Sequence, residues 1–391
     1  MSGGSRRLHS LDALRAGALL LGVVLHSLMP FAPDMTWMIM DEQNRAYAMP
    51  TITVIHLFRM TVFLILAGFF GRMVVRKRGM TRFLKERTIR IATPVIVMWP
   101  FAVLPLGLIS GAWYEAHGLP SPAAEGTFDT GHLWFLWVLF ECCLIFAAVR
   151  EIGHRLAPEL SESLSQKATA VVTAPWGVLV LAIPYFITQM WQGDTYAGIT
   201  APPTLVPEVS GLLAYMTGFL TGWFIARRPG AIEEIAVPWK IHLSVAVVTS
   251  FFVLLLGGML WIDIPGGGWN IVLSAVSAVS AWSWTYGLFG ACINLLSKER
   301  EWVRYLADSS YWIYIMHLTL VIGIGALLTN VSVPAEVKLL VTMVGATLVL
   351  TLTYDLFVRS TWLGKWLNGK KRDRVIFASR KKKQPELSRH A

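Results

Sequence analysis

Along this chain, apolar residues gather into long runs with few charges, separated by short polar stretches. The runs cover 13–31, 52–75, 88–110, 132–149, 170–190, 209–226, 241–262, 269–296, 310–329 and 335–358. A run of about 17 to 25 apolar residues is long enough to cross a hydrocarbon core of about 30 Å as a helix. The pattern therefore predicts an all-α, polytopic membrane protein of about ten transmembrane helices. The eighth run is the longest and is expected to be tilted or broken. The first carries Arg15 and His26 and lacks a convincing small-residue cleavage site, so it is expected to be retained rather than removed as a signal peptide.

Composition agrees with this and adds an orientation. Of 391 residues, 55% are hydrophobic and 15% charged, and the mean hydropathy is +0.55, far from the mix of a soluble globular domain. Many of the 17 tryptophans, among them Trp99, Trp113, Trp191, Trp239, Trp261 and Trp269, lie beside run ends, where aromatic rings sit at headgroup level. The net charge of +10 would suit nucleic acid only if the cations were clustered for it. Instead, 30 of the 34 Lys and Arg residues fall in the N-terminus, in the stretches 72–90, 150–168, 227–240 and 297–308, and after residue 358. Those segments alternate with loops carrying Asp34, Asp41, Glu42, Glu115, Glu125, Asp129, Asp194, Glu208 and Asp263. Positive charge collects on the cytoplasmic side, so both termini are expected there. The run Arg380, Lys381, Lys382, Lys383 fits an orientation signal or a clamp on anionic lipid. The chain divides into a membrane-embedded domain, 1–369, and a basic cytoplasmic tail, 370–391. Cys142, Cys143 and Cys292 sit inside apolar runs and are expected to be small buried residues.

Ionisable side chains inside a membrane helix are costly and mark a functional site or a buried pair. Arg15 and His26 are eleven residues apart, which puts them about 20° from the same helix face and about 16 Å apart along it. The second run carries His56 and Arg59, three residues apart on one face, and in an antiparallel hairpin they reach about the depth of His26. Two imidazoles and a guanidinium at one level suit acid/base chemistry with an oxyanion partner. His132 opens the fourth run and is followed by Trp134, while His317 lies within the ninth; these three are candidates for substrate binding, although His317 alone suits helix packing equally well. Glu141 serves a structural pair or the chemistry. None of the histidines has ligand spacing with another on one helix, so no metal is expected. The chain also lacks a Walker loop, a GxSxG elbow and a dinucleotide fingerprint, and the glycines of 264–270 form an outward turn. At the basic mouth, Arg87 and Arg90 are one turn apart, and arginine suits bidentate contact with phosphate. A nucleotide-bearing acyl donor is one ligand that would need them.

The stretches SLDALRAGALLLGVVLHS, HLFRMTVFLILAGFF, RTIR, HLWFLWVLFE and SSYWIYIMHLTLV, in that order along nearly the whole chain, resemble the membrane-bound acyltransferase 3 family, and within it the type associated with succinylation of periplasmic glucans. The resemblance implies a cytoplasmic acyl-CoA donor (succinyl-CoA or acetyl-CoA, as co-substrate rather than bound cofactor), a His-dependent transfer, and an acceptor hydroxyl on a glycan presented from the outer side of a bacterial inner membrane. It assigns His26 as base and places Arg15, Arg87 and Arg90 near CoA. Two departures stand out. Ala67-Gly68 occupies a place where the family usually has Ser-Gly, and the Trp-Ser-Leu-Ser-Val-Glu pattern is absent, so Glu141 is not equated with its acid. The function expected is a membrane glycan O-acyltransferase with acyl-CoA, a glycan and the bilayer as partners. A membrane transporter or flippase of glycans or lipids is the alternative from another class, which consumption of acyl-CoA would distinguish.

Overall fold

In a computed structural model of the chain, the described residues are 3–120, 129–193, 198–202, 204–261 and 268–377, with side chains described except at 3–8 and 259–261. The glycine-rich stretch 264–267, most of the acidic loop 121–128 and the Arg380–Lys383 cluster lie outside them.

Fifteen α-helices make up the described chain. Helix α1 (Gly3–Leu28) runs into a 3₁₀ turn, and after a folded loop α2 (Ala48–Arg78) returns. Helices α3 (Met80–Arg87), α4 (Thr93–Ala102) and α5 (Leu104–Ala116) together make the third crossing. Helix α6 (Trp134–Leu156) makes the fourth. Then come α7 (Pro158–Thr173), α8 (Gly177–Gln192), α9 (Val209–Ile225) and the short α10 (Ala231–Ala236). Four long helices follow, α11 (Trp239–Trp261), α12 (Trp269–Leu295), α13 (Glu301–Leu328) and α14 (Ala335–Thr353), and α15 (Trp362–Asn368) closes the chain.

Eight of the described helical segments are long and apolar enough to cross a membrane unaided. The other two apolar runs differ from the expected plain spans. The run 170–190 is divided between α7 and α8, which meet at 104°. Pro175 explains the break, because proline lacks an amide hydrogen and forces the residue before it out of helical geometry; Ala174 is accordingly extended. A β-carbon on Gly177 would lie 2.1 Å from the Val171 carbonyl oxygen, so the bend closes too tightly for any larger residue. The run 209–226 forms α9, of 17 residues, held by its neighbours rather than by its length.

Helices α1 and α2 lie deepest, whereas α11, α13, α14 and the third crossing are mostly surface and present Ile96, Phe101, Leu108, Val247, Phe251, Leu340 and Leu348 outward, as a lipid-facing belt should. Helices α2 and α9 touch backbone to backbone: a β-carbon on Gly68 would sit 1.9 Å from the Phe219 carbonyl oxygen, and one on Gly222 1.9 Å from that of Ile65. Small residues permit such approaches where apolar burial alone cannot drive helices together. The cysteines are free, with Cys142 and Cys143 buried.

The two ends of the described chain meet at one end of the bundle. There, Ser10 donates to the Leu296 carbonyl, and Arg372 pairs with Asp308 of α13 at 2.7 Å. At the other end the loop 32–47 folds over α1 and is fixed by Lys338, whose ammonium is 2.7 Å from Asp41 with both side chains almost wholly buried, and by Arg45 paired with Glu336.

Candidate active site

Two groupings of polar side chains lie along α1. Near its N-terminal part, a cavity of about 490 Å³ is bounded by Arg15 of α1, Ala67 and Phe70 of α2, Arg87 and Arg90, Asp308 and Tyr311 of α13, and residues that follow α14. The arginines singled out in α1 and in the basic stretch after α2, far apart in the chain, thus line one space. Arg90 lies in a π-helical turn, Thr88–Ala92, which widens the helix by one residue and is a frequent device at functional sites. The turn is held from outside: Tyr311 donates to the Arg90 carbonyl at 2.5 Å and Trp366 to that of Ile89 at 2.8 Å. Arg15 donates to the Ala307 carbonyl at 2.7 Å and lies 3.2 Å from Asp12, while its Nε is buried without a partner. The deeper lining is apolar, from Leu19, Phe63, Leu66, Phe135, Leu136 and Leu139. Ala67 faces this cavity and Gly68 faces α9, so the two members of the departing Ala-Gly pair belong to different surfaces.

Farther along α1 stands a group of imidazoles. The His26 ring is 5.2 Å from that of His317, and the His132 ring is 5.4 Å from His317. On its other side His26 stacks on Trp37, 6.0 Å away and 13° from parallel, which brings the folded outer loop onto the site. His317 Nδ1 lies 2.7 Å from the Tyr314 carbonyl and His132 Nε2 2.7 Å from the Ile315 carbonyl. A carbonyl only accepts, so each of these nitrogens carries the proton, leaving lone pairs on His317 Nε2 and His132 Nδ1. His132 Nδ1 and His26 Nδ1 are buried with no partner among the described residues. The three rings converge without forming a group of side chains placed to hold a metal ion, among the described residues.

Arg59 reaches this group across α1. A β-carbon on Gly22 would lie 2.5 Å from Arg59 Nη1 and 3.9 Å from His317 Nε2, so the missing side chain at Gly22 leaves the room in which guanidinium and imidazole meet. Arg59 Nε is buried without a partner, and no carboxylate pairs with Arg59 among the described residues. A cation inside an apolar bundle with no carboxylate beside it is expensive, and the arrangement is poised for negative charge. His56, on the same helix, stands beside Gly198. Trp134 packs on Tyr215 and Phe135, and Glu141 is buried on α6; neither is among the side chains around the cavity or the three rings.

Between cavity and histidines lies a layer of rings. Phe63 and Phe135 are 5.9 Å apart, Phe135 and Tyr314 6.1 Å, and Tyr314 is 5.9 Å from His317. Tyr314 also donates to the His132 carbonyl. Gly22 and Trp37 have no ionisable group to draw notice in the sequence, and Tyr314 is one aromatic residue among many in the apolar runs. Gly22 is legible only when α2 and α13 are known to flank that point of α1.

A helical membrane protein with a basic cavity on one side and a buried imidazole cluster farther along the same helix could hold an anionic ligand and place proton-transfer groups at a distance from its charge. The family profile described as an acyltransferase domain, that of the acyltransferase 3 family, matches residues 8–358, and the chain belongs to this family: it is a polytopic membrane acyltransferase. Among curated proteins it is similar to "Glucans biosynthesis protein C" of Escherichia coli O157:H7 and of Escherichia coli K12, each 24% identical over 340 residues covering 83% of this chain and 85% of the relative. No solved structure matches.

Proposed function

We propose that the protein moves a short acyl group, succinyl or acetyl, from acyl-CoA on the cytoplasmic side to a hydroxyl of a periplasmic or cell-envelope glycan on the other side of a bacterial inner membrane. The single observation that carries this is the placement of Arg15 and His26 on one helix, the first in the wall of a basic cavity and the second in the imidazole cluster, about 16 Å apart at 1.5 Å per residue. Arg87, Arg90 and Arg15 would hold the phosphates through charge-assisted hydrogen bonds. The apolar inner cavity would take the pantetheine arm and direct the thioester towards the rings. His26, with an unpartnered ring nitrogen, would take the proton from the acceptor hydroxyl as its oxygen attacks the thioester carbonyl carbon. Arg59 would face the oxyanion of the tetrahedral intermediate. As that intermediate collapses, the C–S bond breaks and the CoA thiolate leaves, taking up the proton that His26 holds. His317 and His132, tied to carbonyls, would orient the cluster, with His56 and Trp134 nearer the acceptor's approach. The name of the relatives supports a glucan as acceptor, and the one-sided distribution of Lys and Arg supports the orientation.

The test uses proteoliposomes of defined orientation, with acyl-CoA on the basic face and a glucan only on the other. Acyl ester on the glucan, measured by mass spectrometry, together with stoichiometric release of CoA, is the expected result. Transfer that requires both substrates on one face would overturn the cross-membrane route, and failure to consume acyl-CoA at all would overturn the donor.

A further inference from the structure

The wall of the basic cavity is completed by the segment that follows the last crossing. Asn368, Lys370 and Arg372 line it together with Arg15, Arg87 and Arg90, so that five cations face two carboxylates, Asp12 and Asp308. The segment is not loosely attached. The Asp355 carboxylate, fully buried in a second π-helical turn, accepts the backbone N–H groups of Val375, Ile376 and Phe377 at 3.0–3.1 Å. Arg372 N–H bonds to the Arg359 carbonyl, and Arg359 Nε donates to the Asp373 carbonyl at 2.6 Å. Gly369, at φ 82°, turns the chain directly against Arg90: a β-carbon there would lie 2.6 Å from the Arg90 guanidinium carbon. The strap and the π turn of Arg90 thus touch across the mouth of the cavity.

Cations spread over three chain segments around one space fit a ligand carrying several separated phosphates better than one carrying a single charge. We infer that residues 369–372 form one wall of the donor site, in which Lys370 and Arg372 contact phosphate oxygens alongside Arg87 and Arg90, with Arg372 releasing Asp308 as it does so. The inference rests on acyl-CoA being the donor. It assigns to these residues a ligand-binding role where their charge alone implied only membrane orientation.

The same phosphate chemistry could be met by an anionic lipid headgroup, and the experiment separates the two. The full-length protein in nanodiscs of phosphatidylcholine is titrated with CoA and with 3′-dephospho-CoA by calorimetry, and the titration is repeated with phosphatidylglycerol present. If the wild type binds CoA and Arg87→Ala weakens it, the donor stands; if the wild type binds no CoA, the donor assignment itself fails. Given CoA binding, Lys370→Gln and Arg372→Gln should each raise the dissociation constant by about three- to thirtyfold in neutral lipid, as loss of a charge-assisted contact to phosphate does. Lys370→Arg should restore it. At least one of the two variants should lose its effect against dephospho-CoA if its contact is the 3′-phosphate, and both should keep it if they grip the pyrophosphate. Lys370 is exposed, so its replacement tests the site without disturbing the Arg372–Asp308 pair. Unchanged CoA affinity in both variants, with Arg87→Ala still impaired, would overturn the inference, as would an effect seen only when phosphatidylglycerol is present.

Discussion

At His26 a ring nitrogen is buried without a partner, and the neighbouring rings of His132 and His317 are each held through one nitrogen by a carbonyl. An imidazole with an uncommitted nitrogen can take a proton and give it up within one turnover, and of these rings His26 is the one that shares a helix face with Arg15. His26→Ala is therefore expected to lower kcat for acyl transfer by about 10²- to 10⁴-fold, the usual contribution of a general base, with CoA affinity unchanged because the arginines proposed to hold phosphate lie around the cavity at the other end of the stripe. Rates and calorimetry on the same preparation check both halves, and near-normal transfer would remove His26 from the chemistry. Much of this cluster was legible in the sequence, since a charge in an apolar run has few benign explanations. Arg15 and His26 could be placed on one face by counting residues. Their partners could not: His317 looked as much like a packing residue as a functional one, because its nearness to His26 depends on α13 lying against α1. Trp37 and Gly22 act through shape and carried no signal. Nor did Lys370 and Arg372, whose charges were indistinguishable from the topology signal around them.

Elements show where the membrane's demands end and tertiary packing begins. The apolar runs were visible because a backbone in hydrocarbon must satisfy its own hydrogen bonds as helix, and each run is mostly helical where it is described. Pro175, Val103 and the two π turns interrupt that regularity, and only the first announces itself by residue type. The contact of α2 with α9 is of the second kind. Gly68 and Gly222 are reciprocal, each lying against a carbonyl of the facing helix, and the residue beside Gly68 lines the cavity. Gly68→Ala must push the helices apart, since the obstacle is backbone and cannot rotate away; overpacking of this sort costs about 1–3 kcal/mol. A lowered thermal midpoint in detergent is expected, accompanied by weaker CoA binding as Ala67 and the arginine wall separate. Gly17→Ala, with nothing within 4 Å of its β-carbon, should leave both unchanged. Equal stability of the two variants would mean that α2 and α9 adjust more freely than their backbone contact allows.

Considered whole, the molecule holds polar groups at several depths from the basic end to the folded outer loop, and the ring layer of Phe63, Phe135 and Tyr314 is what interrupts them. A bilayer opposes ions by the thickness of its hydrocarbon, but here that thickness is replaced for part of the way by a cavity lined with arginine and, on the far side, by imidazoles. We predict that the voltage across the membrane falls largely over the rings, where each elementary charge crossing the full drop does about 2.3 kcal/mol of work per 100 mV, so that the layer acts as a dielectric seal. The wild-type protein in a planar bilayer should pass no steady current, whereas Phe63→Ala combined with Phe135→Ala should open a measurable leak for protons or small ions. No leak in the double variant would locate the seal elsewhere. If the acyl group is handed across the membrane as proposed, that step has to proceed without short-circuiting the cell's battery, and these three aromatic rings would be the insulation.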